Sequence, residues 1–88
     1  MNHTIWKFSL ETTDEQTVEM PAKAEILSVQ TQSEIPCIWA MVNPENKKVK
    51  RVFHIFGTGH CVPNADRKFV GTYLLQGGVL VFHVFEVL

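Results

Sequence analysis

Phe69-Val70-Gly71-Thr72-Tyr73-Leu74-Leu75, then Gln76-Gly77-Gly78, then Val79-Leu80-Val81-Phe82-His83-Val84-Phe85: these residues decide the fold. Both flanks are rich in β-branched and aromatic side chains, which suit a pleated, half-buried surface. The Gly-Gly pair between them supplies the positive φ that primed hairpin turns need, so the stretch reads as a β-hairpin. The same period of two runs back through the chain. From Lys47 basic and apolar residues alternate into Val52-Phe53-His54-Ile55-Phe56. Ile35-Pro36-Cys37-Ile38-Trp39-Ala40-Met41-Val42 is apolar on both faces, as a covered central strand is. Pro36 falls near its start, where a missing ladder donor does least harm. Asn43-Pro44-Glu45-Asn46 reads as a turn, because proline presets φ and asparagine accepts tight geometry.

Toward the N-terminus, Trp6, Phe8 and Leu10 alternate with Lys7 and Ser9, and Thr17-Val18-Glu19-Met20 alternates again before Pro21. Residues 4–10 and 17–20 are therefore expected to form a hairpin with one face in water. Ala22-Lys23-Ala24-Glu25 suggests a single helical turn. Ile26–Gln30 is extended, and Thr31–Glu34 separates it from the next strand. No segment keeps a 3.6-residue period over ten residues. The expected fold is all-β: a small antiparallel sandwich or partly open barrel of six to seven short strands, forming one domain over residues 1–88.

Composition narrows the function classes. Apolar residues make up 45% of the 88 residues and charged residues 19%, a balance that intrinsic disorder does not allow. Lys and Arg number 8 against 9 Asp and Glu, so there is no net field to favour nucleic acid or anionic lipid. No apolar run approaches the roughly 20 residues of a membrane span, and Met1–Lys7 lacks the regions of a signal peptide. Two cysteines do not make a disulfide framework. A soluble domain of the cytoplasm is the expectation.

His54, His60, Cys61 and His83 carry the ligating atoms a metal would need, but their spacing matches no compact zinc pattern. No cofactor-binding motif appears. Cys37 lies in an apolar strand and reads as a small buried hydrophobe. Cys61 adjoins His60, yet neighbours on an extended segment point opposite ways and do not pair as nucleophile and base. The most informative feature is Gly57-Thr58-Gly59-His60. Its glycines can gather backbone amides into an anion-binding nest, with a hydroxyl and an imidazole added. The alternative is a tight turn that uses glycine for its φ freedom. Lys47, Lys48, Lys50 and Arg51 form a local basic cluster. On a strand, Lys50 and Arg51 leave opposite faces, and the cluster suits either an anion or the guarding of an edge strand. If a small anion binds, Gly57, Thr58, Gly59 and His60 form the expected site, with Lys50, Arg51 or Lys68 adding charge.

The last segment, Val79–Leu88, is apolar on both faces, and one sheet face alone can meet a small core. The other face implies another subunit, so a homodimer or larger assembly is expected.

Blocks across nearly the whole chain carry a resemblance. Ile5-Trp6-Lys7, Glu19-Met20-Pro21, Ile26–Gln30, Pro36 with Ile38-Trp39-Ala40, Gly57-Thr58-Gly59-His60, Gly71-Thr72 and Gly77-Gly78 with Leu80–Glu86, in this order, resemble an uncharacterised family of short bacteriophage and prophage proteins. Cys61 departs from that pattern, which speaks against a required role for its thiol. The resemblance implies a phage-type accessory protein working in the host cytoplasm. With no catalytic constellation in the chain, a non-enzymatic binding protein is expected. Such a protein would act against host defence by sequestering a nucleotide-like anion or masking a host protein. A small metal-dependent or nucleotide-processing enzyme and a minor structural phage protein are the alternatives.

Overall fold

A computed structural model describes residues 2–88. Seven strands follow in order: β1 (Thr4–Ser9), β2 (Glu15–Pro21), β3 (Glu25–Gln32), β4 (Ile35–Val42), β5 (Lys48–Gly57), β6 (Arg67–Leu75) and β7 (Leu80–Val87). They build two antiparallel sheets, one of three strands in the order β1-β4-β3 and one of four in the order β2-β5-β7-β6. The architecture is an all-β sandwich without barrel closure. Its Cα extents are 43 × 31 × 15 Å, a slab whose thinnest dimension is two stacked sheets.

Alternation decides which side chains enter the space between the sheets. Ile38, Ala40 and Val42 of β4 meet Phe53 and Ile55 of β5 and Val84 of β7, all buried, with Met20, Val29 and Tyr73 completing the core. Each large apolar side chain buried here contributes roughly 1.5–3 kcal/mol. Trp6, Phe8, Val18 and Phe82 pack around this centre. The Tyr73 ring stacks on Phe82 at 5.5 Å, and its hydroxyl shares a 2.7 Å hydrogen bond with Thr12. Burial pushes the Tyr73 phenol above its ordinary value, and the Thr12 bond draws it partly back.

The 69–85 hairpin forms as its residues dictate. Gln76, Gly77 and Gly78 all hold positive φ in a short 3-10 turn between β6 and β7. The strand assigned to the centre lies in the centre: β4 is flanked by β1 and β3, with Pro36 as its second residue. Asn43–Asn46 turns as expected, with the Asn46 amide on the Asn43 carbonyl and the Glu45 amide on Asn43 Oδ1.

Three local expectations need correction. Residues 4–10 and 17–20 do not pair: β1 joins β4 in one sheet and β2 joins β5 in the other. The connection crosses between sheets, and Leu10 donates its amide to Pro36 as it leaves β1. Residues 22–25 make a turn, with Lys23 at φ 65°, and not a helical turn. β3 runs on to Gln32, and the reversal into β4 is made by Ser33 and Glu34 alone, both at positive φ. Two positive φ values in a two-residue loop are the primed geometry that matches strand twist, here without the usual glycine.

Gly71 marks where the two sheets approach at one edge. A Cβ there would stand 3.1 Å from Val29 Cβ and 3.7 Å from Val29 N, so β6 and β3 touch through a missing side chain. A bulge between Phe69 and Gly71 adjusts the register of β6 on β7 at this point.

Candidate functional site

β5 carries both groups of candidate residues, and their positions along it separate them. Gly57 ends the strand opposite Phe82, whereas Lys50 pairs with Glu19 near the strand's start. At roughly 3.3 Å per residue, the seven steps from Lys50 to Gly57 span about 23 Å. Lys68 stands level with Glu86 and Phe53, four residues back from Gly57. The structure therefore does not bring Lys50, Arg51 or Lys68 to the Gly57–His60 loop.

Arg51 has its own partners. It leaves the inner face, opposite to Lys50 as alternation requires, and meets Glu86 through Nε at 2.6 Å and Nη2 at 2.8 Å. Its Nη1 donates to the Ala24 carbonyl at 2.7 Å, which ties the β2–β3 turn to the end of the core. The Glu86 hydrogen bond raises the guanidinium above its ordinary value; desolvation opposes this, and the Glu86 charge adds to it. Along Lys48–Arg51, β5 pairs with β2 alone, because its ladder with β7 begins at Phe53, so the basic cluster lies along an open strand edge. Lys50 also faces Glu19 across the ladder, an opposite-charge cross-strand pair.

At the other end, Gly57-Thr58-Gly59-His60 is a closed turn. The His60 amide donates to the Gly57 carbonyl at 3.1 Å, and Gly59 holds φ 87°, the third-position requirement of a type II turn. The Thr58 amide donates to Val81 at 3.2 Å. Two of the amides that would line an anion nest are thus engaged within the chain. The His60 ring lies where a side chain of Gly57 would be, with Cε1 2.9 Å from an ideal Cβ. A side chain at Gly57 would have to displace the exposed His60 ring.

Two histidines form networks that spacing did not reveal. Arg67 Nε donates to His54 Nδ1 at 2.8 Å, which places the ring proton on Nε2 for the 2.7 Å bond to Glu15. Arg67 also donates to the Pro63 carbonyl at 2.6 Å and sits 5.0 Å from the Phe56 ring centre. One guanidinium thereby anchors the 58–66 loop to the sheet. His83 is held between Thr58 Oγ1 at 2.7 Å and Thr72 Oγ1 at 3.0 Å. Neither ring keeps a free nitrogen. A cleft of about 360 Å³ beside the loop is lined by Asp14, Glu15, His54, His60, Cys61 and Arg67. Among the described residues, no three His, Cys, Asp or Glu side chains converge to hold a metal. Cys37 is buried and Cys61 exposed, both as free thiols.

Apolar side chains remain on both outer faces. On the three-stranded sheet, Ile5 (57% exposed), Leu27 (45%) and Ile35 (51%) surround half-buried Trp39 and Met41. Leu27 stands out because it is the extra residue of a bulge between Ile26 and Ser28. On the four-stranded sheet, Phe56, Phe85 and Phe69 form a chain of edge-on contacts at 5.9 and 5.4 Å. No helix among the described residues is long and apolar enough to cross a membrane.

These features define a small two-sheet β-sandwich with apolar outer faces and a closed glycine turn. Its family follows from a model described as "Domain of unknown function (DUF7352)", which matches residues 1–88; the chain belongs to this family. No curated protein and no solved structure matches it.

Proposed function

We propose that the protein is a non-enzymatic accessory binding protein that masks a host protein, and that the outer face of the three-stranded sheet is its docking surface. The observation that carries this reading is the patch of Ile5, Leu27 and Ile35 around Trp39 and Met41. Exposed aliphatic residues around a tryptophan resemble the centre of a protein interface. Lys7 stands in the same patch opposite Trp39, bound to Gln32 at 2.7 Å with donors to spare. The partner surface is therefore apolar with a carboxylate placed for Lys7.

Masking is preferred to sequestration of a nucleotide-like anion because the loop amides of Thr58 and His60 and the Arg51 guanidinium already have partners. The phage origin, the cytoplasmic setting and the action against host defence come from the sequence resemblance and belong to the same proposal. The test starts from proteins captured out of a bacterial host lysate. Each is purified and titrated by calorimetry against wild type, Ile5→Asp, Leu27→Asp and Gly59→Ala. The expected partner loses at least about tenfold in affinity with either aspartate. It keeps its affinity with Gly59→Ala. Affinity that survives both aspartates, or no host protein that binds, overturns the reading.

A further inference from the structure

We infer that His54 is a pH-sensitive latch: its neutral ring fastens the 61–66 segment through Arg67, and its protonated ring releases that segment. An arginine Nε only donates, so the 2.8 Å contact from Arg67 Nε makes His54 Nδ1 an acceptor. Nε2 then carries the one ring proton and gives it to Glu15 Oε1 at 2.7 Å. This pattern fits a neutral imidazole alone. A second ring proton leaves no nitrogen able to accept, and it sets two cations against each other where a hydrogen bond stood.

The charges around the ring decide which group moves. Asp14 and Glu15 stand at the start of β2, His60 and Cys61 line the same cleft from the loop, and Arg67 opens β6. β7 presents Phe85 across the ladder, with no charge. Glu15 attracts the imidazolium and keeps it in place, so the guanidinium leaves. Arg67 is also the tie to the middle of the loop: Nη1 donates to the Pro63 carbonyl at 2.6 Å, and the guanidinium lies 5.0 Å from the Phe56 ring centre. Residues 61–66 are all exposed and lie outside any strand, so burial does not fix them. The borders of the segment stay tied by bonds that do not titrate, His60 amide to Gly57 carbonyl and Leu88 amide to Asp66 carbonyl. Release is therefore confined to the stretch between them.

His83 shows what a ring without this device looks like. Its nitrogens meet Thr58 Oγ1 at 2.7 Å and Thr72 Oγ1 at 3.0 Å. A hydroxyl either donates or accepts, so both can turn to suit either charge state. The Arg67 donor has no such choice. The fastened form thus binds one proton fewer than the released form. It is favoured at high pH and lost as pH falls through the range where imidazoles titrate, about pH 5 to 8.

NMR of the full chain tests the latch. At about pH 8 the His54 ring nitrogens should report the Nε2–H tautomer, and Val62, Asn64 and Ala65 should show order parameters near those of rigid backbone, about 0.85. At about pH 5 the same three should fall below about 0.6, with a midpoint that coincides with the titration of His54 and not with that of His60. His54→Gln supplies an acceptor and a donor without titrating, and should keep the segment ordered at both pH values. Arg67→Gln should leave it mobile at both. His60→Asn, on the turn beside the segment, should keep the wild-type response. Equal order parameters in wild type at the two pH values, a midpoint that follows His60, or a response that persists in His54→Gln overturns the inference. So does an Arg67→Gln segment as ordered as wild type at about pH 8.

Discussion

The two ends of β5 carry the residues that a sequence reader would combine into one anion site, and each end is closed by a different device. At the start, Arg51 reaches inward to Glu86 and the Ala24 carbonyl, tying β5 to β7 and to the β2–β3 turn with a charged hydrogen-bonded clamp. At the finish, Gly57–His60 turns on itself through a backbone bond and an imidazole laid over a bare Cα. A guanidinium at one end and a glycine turn at the other both attract partners, and here the partners are within the chain. The comparison shows that ligand-like residue types are informative only once their own hydrogen bonds are counted.

The clamp end should prove the more costly to break. Arg51→Met leaves a Glu86 carboxylate of 14% side-chain exposure without its partner and the Ala24 carbonyl without its donor. A loss of about 2–3 kcal/mol is expected in chemical denaturation, the range for charged hydrogen bonds left half-made. Adding Glu86→Met should recover much of it. At the turn end, Gly59→Ala meets no atom within 4 Å and suffers only from φ 87°, so about 1–2 kcal/mol is expected. His60→Ala uncovers Gly57 but removes an exposed ring, and should stay within about 0.5 kcal/mol. The smallest effect is absent at neutral pH. Because the folded-state Tyr73 phenol is raised, its contribution is complete below the ordinary value of 10.0 and fades as pH rises from there toward the raised value. Thermal melts should therefore fall on the alkaline side, and Tyr73→Phe should flatten that fall.

Much of the fold was legible because alternation reports which face a residue takes. Val81, His83, Phe85 and Val87 separated correctly from Phe82 and Val84, and Lys50 from Arg51. The apolar run 35–42 marked a central strand, but it is covered on the Ile38, Ala40 and Val42 face only, and Ile35, Trp39 and Met41 take the outer face. Alternation does not report which strand is the neighbour. β1 and β2 are adjacent in sequence and both amphipathic, yet the chain places them in different sheets, a choice made by long-range packing. The same limit applies to the networks. His54 lies 39 residues from Glu15 and 13 from Arg67, and Arg51 lies 35 from Glu86, so no local motif could join them. The Ser33-Glu34 turn stayed hidden for another reason: both residues accept positive φ without the Asn-Gly that signals it.

The central claim is that Gly57–His60 is a closed structural turn and that binding belongs to the broad faces. Calorimetric titration of the wild-type protein with inorganic phosphate and a panel of linear and cyclic nucleotides tests it most directly. The account predicts no saturable heat with any of them. Saturable binding of one nucleotide that is lost in His60→Ala, with the melting temperature of that variant unchanged, would contradict it.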